Sequence, residues 1–187
     1  MSALERLVEI AEQGQEDLTK YTATISSDHA YIHDGIAFTS IINTGLISAA
    51  YDIAFTTPTV ASGKYIHWRP IGISSSADYV NATLREGDSF TSGATVTPIN
   101  RNRLSSNTTS MQTFVQGATV TPTGTIIMST GMGTDGNPRS QSGGGAGADE
   151  EIVLKQNASY VLTLTPSGAT TCIMSLFWYE EAEGLDP

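Results

Sequence analysis

The sequence predicts an all-β fold, an antiparallel β-sandwich of jelly-roll-like form preceded by a short N-terminal helical arm. Three observations carry this. Residues 51–99 break into short runs of Tyr, Ile, Phe, Val and Thr, separated by Pro58, Gly63-Lys64, Ser74 to Ala77, Glu86-Gly87 and Ser92-Gly93. Runs spaced roughly 8–12 residues apart are the signature of antiparallel sandwiches and barrels. The closing segment, 160–179, has the same character. Helical periodicity is confined to the first twenty residues. The domain plan is an arm at 1–20, a sandwich at 21–180 with a glycine-rich loop at 129–149, and an acidic tail at 181–187.

In residues 2–18, Leu4, Leu7, Val8, Ile10, Ala11 and Leu18 gather on one side of a helix, with Glu5, Glu9, Glu12, Glu16 and Asp17 around the rest. Ser2 and Glu5 have the spacing of a capping box. A helix this short is marginal alone, so it is expected to pack either on its own domain or on a neighbouring subunit. His29 and His33 follow, close to Asp28 and Asp34. They have the spacing of a metal pair but lack the glutamate of a zinc-protease motif. They are expected as solvent-facing turn residues, with Asp34-Gly35 turning into the first strand.

Ile36–Ile42 and Leu46–Phe55 read as the first core strands, joined by a turn at Asn43-Thr44-Gly45. Tyr51, Ile53 and Phe55 alternate with Asp52, Ala54 and Thr56, so one face enters the core and the other meets solvent or a partner. Pro58 stops that strand, having no N–H for the ladder. Ile66 and Trp68 then share a face, opposite Tyr65, His67 and Arg69, and His67 is expected to pack across strands. Val80, Ala82 and Leu84 alternate before the polar turn Arg85-Glu86-Gly87-Asp88.

The most specific internal signal is an echo. Residues 92–98, SGATVTP, return as QGATVTP at 116–122, with six of seven positions identical. Equivalent strand starts in neighbouring hairpins account for it, and a single echo falls short of a solenoid. Between the echoes, Arg101 and Arg103 crowd together in Asn-Arg-Asn-Arg. Arginine forks suit carboxylates, so these two are expected to bond acidic groups within or between subunits.

Thr123–Met128 is the next expected strand, before the glycine-rich stretch. That stretch has neither the Walker lysine nor a Rossmann strand, and its Thr134-Asp135-Gly136 fails the EF-hand spacing. Tyr160, Leu162 and Leu164 share one strand face. In the last strand Cys172, Met174, Leu176 and Trp178 alternate with Ile173, Ser175 and Phe177. Apolar on both sides, it is expected to be covered twice, by the opposite sheet and by the helix or another subunit.

Composition sets the partner class. The chain has 187 residues, 39% of them hydrophobic and only 15% charged, with 19 acidic against 9 basic side chains for a formal charge of −10. That balance argues against nucleic acid, which needs clustered Lys and Arg, and leaves an acidic face either to meet a basic protein surface or simply to keep the protein soluble. No apolar run approaches the roughly 20 residues of a membrane helix, and the mixed, acidic N-terminus lacks a signal-peptide pattern. Cys172, the one cysteine, sits in an apolar run and is expected to be buried and inert. No metal, cofactor or catalytic set is expected, and the chain is not expected to be an enzyme.

The order Gly-Lys-Tyr-Ile-His-Trp (63–68), Arg-Glu-Gly (85–87), Gly-Ala-Thr-Val-Thr-Pro-Ile-Asn-Arg-Asn-Arg (93–103), Leu-Lys-Gln-Asn-Ala-Ser-Tyr (154–160) and Leu-Phe-Trp-Tyr-Glu (176–180) resembles that of small structural proteins of tailed bacteriophages. The resemblance covers about residues 40 to 180, and its motifs are structural ones. Members of that group are virion, head-decoration or cement proteins. The resemblance implies a homotrimeric sandwich on the capsid surface of the virion, bound to the major capsid protein, with the helical arm touching the shell or a neighbour. The expected contact residues are Leu4, Leu7, Val8, Arg101, Arg103 and Trp178. The alternative expectation is a tail- or fibre-associated module that binds a host receptor or glycan with exposed aromatics such as Tyr65 and Trp68.

Overall fold

The computed structural model describes residues 27–69, 72–76, 78–132 and 151–182. The predicted arm with Leu4, Leu7 and Val8, most of the glycine-rich stretch and the end of the acidic tail lie outside the described residues.

In chain order the elements are α1 (Ser27–His33), β1 (Ala37–Ile47), β2 (Tyr51–Thr56), β3 (Lys64–Trp68), β4 (Gly72–Ser75), β5 (Val80–Glu86), β6 (Ser89–Thr91), β7 (Ala94–Thr95), β8 (Ile99–Asn100), β9 (Thr113–Gln116), β10 (Thr119–Thr121), β11 (Thr125–Met132), β12 (Ile152–Leu154), β13 (Ser159–Pro166) and β14 (Thr170–Ala182). All strand pairings among the described residues are antiparallel.

Four pairs are nested one inside the next: β1 with β14, β2 with β13, β3 with β12, and β5 with β11. A long hairpin rolled up on itself has this nesting, and it produces two sheets, β12-β3-β14-β1-β8 and β11-β5-β13-β2-β9-β7. The architecture is a jelly-roll sandwich. β4 continues the line of β3 along β14.

The core lies between the sheets. Phe38 and Ile42 on β1, Ile66 and Trp68 on β3, and Cys172, Met174, Leu176 and Trp178 on β14 face Ile53 and Phe55 on β2, Leu84 on β5, and Tyr160, Leu162 and Leu164 on β13. Strict alternation places each set on one face of its strand. Aromatic rings stack through the centre, Phe55 on Trp68 at 4.8 Å and Trp68 on Trp178 at 6.2 Å between centroids. The indole N–H groups of both tryptophans have no hydrogen-bond partner among the described residues. That costs about 1–3 kcal/mol each. Burying roughly 200 Å² of ring contributes about 5 kcal/mol, so the rings stay inside.

Three expectations are corrected by this arrangement. Asn43-Thr44-Gly45 does not join two strands: β1 runs through it, with a register shift between Asn43 and Leu46. Asn43 Oδ1 accepts the Gly45 N–H locally and so holds a bulge. The first four residues of the predicted loop, Ser129 to Met132, belong instead to β11 and pair with β5. The outer face of β2 and β13 is not open at its centre, although Asp52, Thr56 and Thr163 around it are half-buried. Ala54 and Val161 are fully buried beside Val115 on that face, with Phe90, Ala118 and Val120 packed against them. The cover is the ribbon of β6 and β10, which folds over that sheet as a third layer.

One buried and one half-buried carboxylate pin the connections. Asp88 accepts from Arg85 Nε at 2.9 Å, Thr123 N at 2.8 Å and Gly124 N, which fixes the approach to β11. Glu86 accepts from the Tyr160 hydroxyl at 2.8 Å and pairs with Lys155.

Candidate interaction surface

β8 is two residues long and pairs with β1 at the edge of the first sheet. The chain then leaves regular structure until Thr113. With few ladder bonds, this connection depends on side chains for its shape. Asn100, buried, donates through Nδ2 to the carbonyls of Gly35 and Asn107, and its Oδ1 accepts from Asn102 N. Asn102 Oδ1 accepts from Leu104 N, and its Nδ2 donates to the His33 carbonyl on α1. The Arg101 N–H donates to the Ala37 carbonyl. The asparagines of Asn-Arg-Asn-Arg are therefore the structural half of that motif, and the arginines are its outward half.

The far end of the connection is held by Glu180, 3% exposed at the end of β14. Its carboxylate accepts from Ser110 N at 2.9 and 3.0 Å, Ser110 Oγ at 2.6 Å and Thr109 Oγ1, with Lys64 Nζ 3.7 Å away. A buried carboxylate is stable only when so satisfied. The consequence is a pinned surface loop that presents Arg101, Arg103 and Leu104, the last 98% exposed.

Arg101 lies over the Phe177 ring at 5.4 Å. Among the described residues neither Arg101 nor Arg103 has a carboxylate within ion-pair distance. The intramolecular form of the expected arginine–carboxylate bond is thus absent there. Trp178, expected at a contact, is 2% exposed and stacks on Trp68 and Phe38. Its strand parity points it between the sheets, so it serves the core. Trp68 is 1% exposed for the same reason, which removes it from any exposed aromatic face.

Beside Arg101 a polar and aromatic cluster stands on the outer side of β3 and β14. His67 Nδ1 donates to Glu151 Oε1 at 2.7 Å, and the Tyr179 hydroxyl donates to the same oxygen at 2.6 Å. Arg69 Nε lies 3.3 Å from Glu151 Oε2 and its guanidinium 5.4 Å from the Tyr179 ring. His67 and Tyr31 both stack on Tyr179. Burial first, then the Glu151 bond, drive the Tyr179 phenol far above its ordinary pKa. Burial and the bond to Glu181 raise that of Tyr31. The expected cross-strand packing of His67 is found. The cleft here, between Tyr31, Ala37, Arg69, Arg101, Phe177, Trp178 and Tyr179, has about 20 Å³ of space, room for little more than a water molecule. It is a dimple, not a substrate pocket.

His29 and His33 sit on α1 instead of in a turn, both exposed, with their Nε2 atoms 2.8 Å apart. Among the described residues no three His, Cys, Asp or Glu side chains converge as metal ligands. Cys172 is buried, with its thiol pKa raised by desolvation. Comparison with protein-family models, with curated proteins and with solved structures found no match.

Proposed function

We propose that this chain is a structural decoration protein, a cement, that binds the outer surface of a tailed-phage head as a homotrimer and stabilises the shell against the outward load of packaged DNA. The observation that carries the reading is the pinned loop with Arg101, Arg103 and Leu104. Two arginines without carboxylate partners among the described residues and a fully exposed leucine stand on a loop that buried Asn100 and Glu180 hold in place. Arginine is among the residues enriched at binding hot spots. Holding them in place beforehand lowers the ordering cost of association. On a chain of formal charge −10, this local positive site selects an acidic patch of the capsid protein.

Jelly rolls occur in capsid proteins and lectins alike, so the fold supports the reading by analogy only. Trimeric binding makes weak single contacts sufficient, because three sites engage together. The receptor-binding alternative called on Tyr65 and Trp68, and it loses its main anchor with Trp68 in the core.

Co-sedimentation with mature heads tests the proposal. The wild-type protein should saturate heads at a fixed ratio, and R101A/R103A should bind roughly tenfold or more weakly, as expected for hot-spot truncation. Failure of the wild type to pellet with heads, or equal binding by the variant, contradicts the proposal.

A further inference from the structure

The outer faces of the two sheets differ. The ribbon of β6 and β10 covers one. On the other, Ile41, Ile99 and Ile173 are 66%, 41% and 47% exposed. They are neighbours: Ile99 and Phe177 both stand opposite Thr39, Ile41 opposite Ser175, and Ile173 opposite Asn43. Tyr31 of α1 stacks at 4.1 Å on Tyr179, at one end of this face, and the described chain begins at Ser27, one helical turn before it.

We propose that this open face is the docking site of the same chain's N-terminal segment, residues 4–18. Leu4, Leu7, Val8 and Leu18 would lie as a helical stripe against the three isoleucines. The dimensions agree. From Tyr179 to Ile173 is six strand residues, about 20 Å, and from Leu4 to Leu18 is fourteen helical residues, about 21 Å. Residues 19–26 can span up to about 26 Å, enough to bring the stripe back over the face from which α1 leaves. Charge agrees as well. Arg101 lies on this face, over Phe177, with no carboxylate partner among the described residues, and Glu5 and Glu12 flank the stripe. The inference does not rest on the capsid reading; with Arg101 turned to the arm, Arg103 and Leu104 remain the outward side chains of the loop.

The test uses the full chain, labelled at isoleucine methyls, with an inert gadolinium chelate in the water. Ile126, 53% exposed on β11, is the accessible reference. Under conditions where light scattering gives a monomer, Ile41 and Ile173 should broaden several-fold less than Ile126. In L4S/L7S/V8S they should broaden as much as Ile126 does. Equal broadening of all three in the wild type overturns the proposal. So does protection that vanishes when an oligomer is diluted to monomer, since that assigns the face to a second copy.

Discussion

Gly93 and Gly117 stand opposite each other across a two-stranded ribbon. Thr91 pairs with Thr119 on one side of them and Ala94 with Gln116 on the other, in one unbroken register. Both have positive φ, 105° and 64°. At this shared point the ribbon bends, so that β7 and β9 stay in the second sheet while β6 and β10 fold over its outer face. The echo in the sequence is the two halves of one corner, which antiparallel pairing brings together.

Substitution should affect the two glycines unequally. A Cβ at Gly93 would lie 3.0 Å from both the Gln116 carbonyl oxygen and Val115 Cβ, whereas at Gly117 its nearest neighbour is Tyr51 Oη at 3.8 Å. Gly117→Ala should cost about 1–2 kcal/mol, the left-handed penalty alone. Gly93→Ala should cost about 1 kcal/mol more, because the neighbours must also shift. Thermal unfolding separates them by roughly 2–4 °C.

Glu180→Ala removes the acceptor for Thr109 and Ser110 and should cost about 3 kcal/mol. The same variant should release the loop that carries Arg101 and Arg103, so trypsin should cut there faster than in the wild type. An unchanged digestion rate would mean that the asparagine network holds the loop unaided.

The phenols predict an alkaline limit. Tyr160 and Tyr179 are raised well above 10.0 in the folded chain, first by burial and then by their bonds to Glu86 and Glu151. Above pH 10 the unfolded chain loses these protons while the folded chain keeps them, so stability falls as pH rises. Below pH 10 both states are protonated and the contribution is complete. Glu86 acts in the other direction. Its carboxyl is lowered from 4.5 by the bonds from Lys155 and Tyr160, so its contribution is present above that pH and lost on acidification. Phenolate absorbance followed with circular dichroism should show these tyrosines ionising together with unfolding.

Trp178→Ala distinguishes a core role from a contact role. It should destabilise by about 3–5 kcal/mol, while whatever protein remains folded binds heads as the wild type does. Normal stability with lost binding would place Trp178 at a contact.

The sandwich was legible because alternation is local: Tyr160, Leu162 and Leu164, or Val80, Ala82 and Leu84, declare their inward faces without reference to the rest of the chain. Alternation also misled. It marked Trp178 as apolar without saying which side of β14 faced the other sheet, and it left the face of Ala54 to solvent or a partner because its cover comes from residues 89–91 and 119–121. His29 and His33 join a helix whose seven residues are too few to show periodicity. Glu180 was unreadable as a clamp, since its partners lie 70 residues away, and only the fold brings them together. Arg101 and Arg103 were singled out by their spacing, but the role of the intervening asparagines depends on carbonyls of Gly35 and His33 that sequence does not place nearby.

The most direct test of the decoration reading is cryo-electron microscopy of intact virions from the source of this chain, with the protein marked by an antibody fragment. The reading predicts label at regular lattice points over the head, with the Arg101–Arg103 loop turned toward the shell. Label confined to the tail, or particles without the protein, would contradict it.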